Sequence, residues 1–282
     1  MNIRFSIEEA VRKRVSVRNY SDRPIEPDKK LHIQNFISNT KNPFNSKIKF
    51  HYFELNEEVK DQKLGTYGVI RNATHFLGAS IVNGPFALEA LGYEMEIVML
   101  YLASMDIGTC WLGGTFDRKG FARALNIGEQ ELLPAITPIG YAQPHRHFQE
   151  VVMRTVIQAH NRMDWNKMFF LNDFDTPLTK QGAQDFAFAL EMVRLGPSAS
   201  NKQPWRILWK DGNFHFCEYK TPGYSNVFPY DIQRIDMGIA AAHFELACKE
   251  KGINGKFVFD QKPDVQLPQH TEYVYSWIYQ AQ

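Results

Sequence analysis

The apolar positions change period repeatedly along the chain, which predicts short helices and strands in alternation. Ser6 to Arg12 has a helical spacing, and Val15-Ser16-Val17-Arg18-Asn19-Tyr20 alternates as an extended segment. Asp22 to Pro27 is turn chemistry, and Pro27 suits the first position of a helix running to about Ser38. A polar loop over residues 39–47 leads to the alternating strand Lys49 to Leu55. After Gly65 and Gly68 a buried strand is expected over Thr74 to Val82. Leu91 to Met105 is apolar on almost every side, the mark of a central helix, and Gly108 is expected to supply its left-handed C′ residue. Thr109 to Leu112 reads as strand, Gly113-Gly114 as loop, Phe116 to Leu125 as a short helix and Leu133 to Tyr141 as another buried strand.

Residues 142–176 are rich in polar and aromatic side chains and read as a connector. A helix is expected over Thr179 to Leu195, with Phe186, Leu190 and Val193 on one stripe and Gly196-Pro197 as its stop. The loop Ser198 to Pro204 leads into a strand, Trp205 to Trp209. Asp211-Gly212 is a hairpin turn, Phe214 to Cys217 the returning strand, and Met237 to Glu250 a second long apolar helix. Leu102–Gly108 is echoed by Leu246–Gly252, 144 residues on, each closing a long apolar helix with a charged last turn and a glycine. The helix, strand and central-helix order recurs as well. A tandem duplication is expected, with halves 1–165 and 166–282.

Composition narrows the function classes. The 282 residues are 44% hydrophobic and 22% charged, enough apolar material for a sizeable core in one large or two smaller domains. Thirty-two basic against 31 acidic residues leave a net charge of +1, without the basic excess of a nucleic-acid binder. No apolar run is long enough for a transmembrane helix, and the opening MNIRFSIEEAVRKR has no apolar signal-peptide core. Cys110, Cys217 and Cys248 are far apart and unpaired in sequence, as in a reducing cytoplasm. The His145/His147 pair has no acidic or cysteine companion nearby, so no metal is expected.

Three short segments are suited to ligand chemistry. In Arg14-x-Ser16-x-Arg18 the alternate positions of an extended backbone share one face, about 7 Å apart. Two guanidiniums flanking a hydroxyl suit a phosphate monoester, although a half-buried strand with its polar face in solvent has the same pattern. In Pro197-Ser198-Ala199-Ser200-Asn201-Lys202-Gln203-Pro204-Trp205, small polar side chains admit a planar polar ligand, and Pro204 is expected to hold Gln203 extended. An ordinary loop of Asx and Ser turns has that composition too. Gly113-Gly114, after a strand and before a helix, allows backbone contact with a ligand or simply a tight turn. Arg146 adds a cation beyond the strand end at Gly140-Tyr141. No Rossmann glycine fingerprint, serine-hydrolase elbow or phosphate-binding P-loop is present.

Taken in this order, the segments resemble the FMN-dependent nitroreductase family. Its Arg-x-Ser-x-Arg/Lys is matched by Arg14, Ser16 and Arg18, and its Pro-Ser-x-x-Asn-x-Gln-Pro-Trp by Pro197 to Trp205 at every defined position. The long helix before Gly108-Thr109-Cys110-Trp111-Leu112-Gly113-Gly114, and the later Ile139-Gly140-Tyr141, are similar to it as well. The resemblance implies an α+β nitroreductase-like fold and an FMN whose N5 takes hydride from NAD(P)H. The hydride then passes in ping-pong fashion to a nitroaromatic, quinone or related small acceptor, with no catalytic protein nucleophile. It also implies that Arg14, Ser16 and Arg146 hold the phosphate and ribityl end and that Arg18 lies near N1 and O2. Gly113 or Gly114 would offer an N–H to N5, and Pro197, Ser198, Ser200 and Asn201 would contact the flavin from the second half.

Single-length members place both motifs near one N-terminus, and two subunits share each flavin. Here they fall in different halves, as in the fused, double-length members whose single chain imitates the dimer, and a monomer is expected. Setting Asn45 against Asn201, an offset of 156, aligns the loop with Lys41-Asn42-Pro43-Phe44-Asn45, which has none of its serines. The same offset puts Phe170, Asn172 and Phe174 where Arg, Ser and Arg are needed. One flavin per chain is therefore expected. The competing readings are a flavin-binding remnant without turnover and a cofactor-free scaffold.

Overall fold

The computed structural model describes residues 5–55, 64–144 and 161–280. By its contacts the chain divides into two units, Met1–Ala159 and His160–Gln282.

In the first unit, helix α1 (Ile7–Lys13) starts where Ser6 Oγ accepts the Glu9 N–H at 3.3 Å. Glu8 and Glu9 in its first turn and Arg12 and Lys13 in its last complement the helix dipole. The chain then runs extended, with Val17 N–H donating to Thr109 O at 2.8 Å and bridges joining Ser16 to Thr109 and Tyr20 to Ala142. Helix α2 (Pro27–Asn39) begins at the proline, as expected. Strands β1 (Ile48–Glu54), β2 (His75–Val82), β3 (Gly108–Thr109) and β4 (Glu131–Gly140) form a sheet in the order β1-β2-β4-β3, antiparallel throughout. Helix α3 (Ala87–Ser104) is central: 15 of its 18 residues are buried, so neither side faces solvent. Val98 and Leu102 pack with Ile33 of α2 and with Leu77 and Ile139 of the sheet. A second apolar cluster gathers Phe76, Phe116, Leu133 and Ile136 around Phe121 of helix α4 (Arg118–Ala124), which Asp117 caps.

In the second unit, β5 (Phe169–Leu171) runs parallel to β6 (Trp205–Lys210). The sheet continues antiparallel through β7 (Asn213–Tyr219), β9 (Thr271–Tyr279) and β8 (Gly255–Val258), in the order β5-β6-β7-β9-β8. Helices α5 (Ala187–Leu195) and α6 (Gln233–Glu250) complete it, and 15 of the 18 residues of α6 are buried. Phe186, Phe214, Phe244 and Trp277 form an aromatic core with ring centroids 4.7–6.4 Å apart. No helix among the described residues is long and apolar enough to cross a membrane.

With α1, α4 and β5 set aside, both units run helix, strand, strand, 18-residue helix, strand, strand, and β1-β2-β4-β3 has its counterpart in β6-β7-β9-β8. The two long helices end alike, with Ile107 N–H on Leu102 O at 3.0 Å and Ile253 N–H on Cys248 O at 2.9 Å. Leu102 thus corresponds to Cys248, a spacing of 146, not 144. That corrects the expected stop of α3: Asp106 (φ 64°) is the left-handed residue, matching Gly252 (φ 71°), and Gly108 lies in β3. Gly108 is needed there for close approach, since a Cβ would stand 2.7 Å from Val17 Cγ2 and 3.2 Å from Gly140 O.

Other expectations shift too. The helix expected over Thr179 to Leu195 forms only from Ala187, because Gln184 takes a left-handed φ of 50° and a 3-10 turn spans Gln184–Phe186. Within the expected connector, Trp165–Lys167 makes a 3-10 turn and β5 joins the sheet. Its three residues carry too little pattern to announce a strand.

Candidate functional site

The Arg14-Ser16-Arg18 row begins where α1 stops. Arg14 is the C-cap residue, extended at φ −61° and ψ 119°, so the chain leaves the helix straight into the bridge with Thr109. Paired residues on neighbouring extended segments present their side chains to the same face, which sets Thr109 beside Ser16. Arg18 is 7% exposed, and its Nε and Nη1 are buried without a hydrogen-bond partner. The Arg14 side chain is 6% exposed, its Nη1 is likewise unpartnered, and its Nε lies 3.7 Å from Glu96 Oε1. Thr109 Oγ1 is a fourth buried atom without a partner. Buried polar atoms without a partner are unfavourable, so this row has the chemistry to take an anion or several acceptors.

Glu96 ties the row to the glycine turn. It is completely buried on α3 and accepts the Trp111 Nε1–H at 2.8 Å on Oε2 while Oε1 faces Arg14. Trp111 stands two residues before Gly113. The carbonyl of Gly113 accepts from Arg118 Nη2, and Arg118 Nε donates to Leu133 O at 3.0 Å, which anchors the turn to β4. Arg14 and Thr109 also line a cavity of about 140 Å³ with Lys13, Val17, Ile107 and Gly108. A small-molecule pocket is commonly about 300–1,000 Å³, so this space is smaller than a whole ligand needs. Arg146 lies outside the described residues.

The Pro197–Asn201 loop lies in the second unit and is held by its own hydrogen bonds. Ser198 Oγ accepts the Gln203 N–H at 2.8 Å, and the Ala199 N–H reaches both oxygens of Asp236 on α6, at 3.0 and 3.2 Å. Tyr224 donates to Ser200 Oγ at 2.8 Å; Asn201 accepts from Arg162 at 3.3 Å and donates to Asn161 O at 3.0 Å. Ser200, Asn201 and Gln203 all have positive φ, 47°, 56° and 49°. Gln203 is therefore not extended, as Pro204 was expected to make it. Its side chain accepts the Met163 N–H at 2.8 Å and donates to Asn201 O at 3.2 Å, and with the Ser198 bond these hold it left-handed. Burial raises the Asp236 carboxyl well above its ordinary value, against the pull of the Ala199 N–H.

Where the first half would repeat this loop, Asn42 donates to Glu94 Oε1 at 2.5 Å, and Phe44, 4% exposed, packs on Phe86 and Tyr93. Phe170 lies in β5, 5.2 Å from the Phe174 ring. The side chains that sequence reasoning missed are Glu96, Thr109, Asp236 and Tyr224. The acids carried one signal, a lone carboxylate inside a long apolar helix.

The family model described as "Putative TM nitroreductase" matches residues 6–248. No curated protein matches the sequence significantly. Among solved structures, a putative nitroreductase from Thermotoga maritima MSB8 is 20% identical, with 99% of this chain and 95% of that one covered at a TM-score of 0.59. A nitroreductase family protein from Clostridium novyi NT is 20% identical over 50% of this chain and 87% of its own, at a TM-score of 0.43. A nitroreductase with bound FMN from Desulfitobacterium hafniense DCB-2 is 15% identical over 50% and 90%, at 0.41. The Thermotoga likeness shows a shared fold along the whole chain, the α+β nitroreductase-like fold. Because the family match spans most of the sequence and both units, this chain belongs to that nitroreductase family.

Proposed function

We propose that the chain is an FMN-dependent oxidoreductase that accepts electrons from NAD(P)H and delivers them to a nitroaromatic, quinone or related small acceptor, with one flavin per chain. The observation that carries this reading is the set of buried, unpartnered guanidinium atoms of Arg14 and Arg18. They fit a ligand with a dianionic end and further acceptor atoms. FMN, when bound, supplies the two-electron chemistry.

The protein's share is position and charge. Arg14 and Ser16 would hold the phosphate and ribityl end, the role the resemblance also implies for Arg146, which lies outside the described residues. Arg18 would supply positive charge to the ring system and so favour its reduced form, and the Gly113-Gly114 backbone would offer it an N–H. Pro197, Ser198, Ser200 and Asn201 are the further flavin contacts in this reading. Phe44 takes the loop position of the other copy, and the offset of 156 sets Phe170 and Phe174 against Arg14 and Arg18, which supports a single flavin because aromatic rings cannot neutralise a phosphate. The structure departs from that offset in placing β5 beside β6, the counterpart of β1, whereas the row bridges β3, the counterpart of β8.

The test is a visible spectrum of the protein reconstituted with FMN, before and after anaerobic NADPH and then NADH. One equivalent of bound flavin that bleaches is the expected result and identifies the donor. Bound flavin that stays yellow would favour a binding protein without turnover; no binding, or two equivalents per chain, refutes the site assignment.

A further inference from the structure

We propose that Glu96 is a positioning residue for the cofactor phosphate. Its buried carboxylate holds the Nε side of Arg14 and thereby aims the Nη1 side at the ligand. The inference rests on the reading of Arg14 as a phosphate ligand and adds a residue that touches no ligand itself. Glu96 is completely buried, and among the groups facing it are two donors: Oε1 lies 3.7 Å from Arg14 Nε, and Oε2 accepts Trp111 Nε1–H at 2.8 Å. The indole bond fixes the carboxylate's rotation, and the fixed carboxylate fixes the guanidinium. Arg14 Nη1, buried and unpartnered, is then left for the ligand. A guanidinium is a planar fork whose edges can serve two partners at once, which a lysine ammonium cannot reproduce.

A buried carboxylate so close to a phosphate ligand has two opposing effects, and they give opposite signs on mutation. As a bare charge it repels the phosphate, so neutralising it would tighten FMN binding. As a support for Arg14 it organises the donor, so neutralising it would loosen FMN binding. Glu96→Gln separates the two. An amide offers one oxygen where two donors stand, so either Arg14 Nε or Trp111 Nε1 must face an NH2 group.

Equilibrium titrations of FMN and of riboflavin, which lacks the phosphate, should be run on the wild-type protein and on Glu96→Gln, with thermal unfolding of the unliganded proteins alongside. The expected result is a loss of FMN affinity of about tenfold or more, the scale of one charged hydrogen bond from Arg14 to the phosphate lost when the guanidinium is no longer aimed, with riboflavin affinity unchanged. Unchanged or tighter FMN binding overturns the proposal, and so does an equal loss for both flavins, which marks a merely structural role. Trp111→Phe carries the same test if Glu96→Gln does not fold, since it removes one orienting donor and keeps both charges. FMN binding should fall and riboflavin binding should not; any other pattern overturns the proposal. A wild-type protein that binds neither flavin refutes the functional reading itself, a result distinct from any of these.

Discussion

Glu94 lies two residues from Glu96 on α3 but has a different role. It is 5% exposed, and its carboxylate accepts a 2.5 Å hydrogen bond from Asn42 Nδ2. Burial pushes the carboxyl from its ordinary 4.5 up to about 7, against the smaller downward pull of that bond. A folded-state value above the unfolded one means that the folded protein holds the proton more tightly. The associated stability is present in full below the unfolded value of 4.5 and is lost as pH rises through about 7. Moving from 4.5 to about 7 corresponds to about 3 kcal/mol in all, at about 1.4 kcal/mol per pH unit. Integration over the titration places roughly 2–3 kcal/mol of it between pH 5 and pH 8.

Glu94→Gln removes the charge and keeps an oxygen for Asn42. The variant should therefore match the wild-type protein at pH 5 and exceed it by about 2–3 kcal/mol at pH 8, read by urea unfolding at both pH values. Glu218, which burial pushes up to about 8 against the pull of Arg234, gives the wild-type protein a second falling contribution over the same range. Glu218 is present in both proteins, so the difference between them isolates Glu94. Parallel pH profiles, or a variant less stable at pH 8, would refute the reasoning, because either result means that the carboxylate is not desolvated as its burial requires.

Gly108→Ala would force a Cβ to within 2.7 Å of Val17 Cγ2, next to the Arg row. It should destabilise the protein by about 1–3 kcal/mol and weaken FMN binding, and an unaltered melting temperature would contradict the packing argument. Asp236→Ala leaves the part-buried Ala199 N–H without its acceptor and should cost about 1–3 kcal/mol by denaturant unfolding, with FMN affinity falling as the loop loosens. Gly255→Ala places its Cβ inside the Trp277 indole and should lose about 3 kcal/mol or more; near-normal expression and melting would show that β8 can retreat from β9.

Elements with a local chemical signal were legible in the sequence. Ser6 caps α1, Pro27 opens α2, and Asp211-Gly212, at φ 51° and 76°, turns β6 into β7. Elements governed by tertiary packing were not. Helix α3 starts at Ala87 and not near Leu91 because Phe86 supplies a left-handed entry at φ 56° with no side-chain cap. The stripe through Phe186 extended the α5 expectation backwards past Gln184, whose left-handed φ of 50° no periodicity records. Strands β8 and β9 went unread, although Trp277 of β9 belongs to the aromatic core. At the site, the Arg/Ser row and the Pro-Ser loop were visible as motifs, whereas their supports were not. A single acid in an apolar helix has the same sequence appearance whether it faces water or a buried guanidinium.

Those supports also bear on the proposed single flavin per chain. Helices α3 and α6 align end to end without a gap, Ala87 with Gln233 and Ser104 with Glu250. In that register Glu96 corresponds to Ala242, and Asp236 corresponds to Ala90. Each half therefore has an alanine where the other has its anchoring acid. The first half can brace a guanidinium row through Glu96, and α3 holds its loop through Glu94 and the Asn42 side chain, with an alanine at the position of Asp236. The second half can pin the loop and cannot brace a row. Restoring Arg, Ser and Arg at Phe170, Asn172 and Phe174 would leave the new cations without that brace, so by this argument those three substitutions alone should not raise the flavin stoichiometry above one per chain.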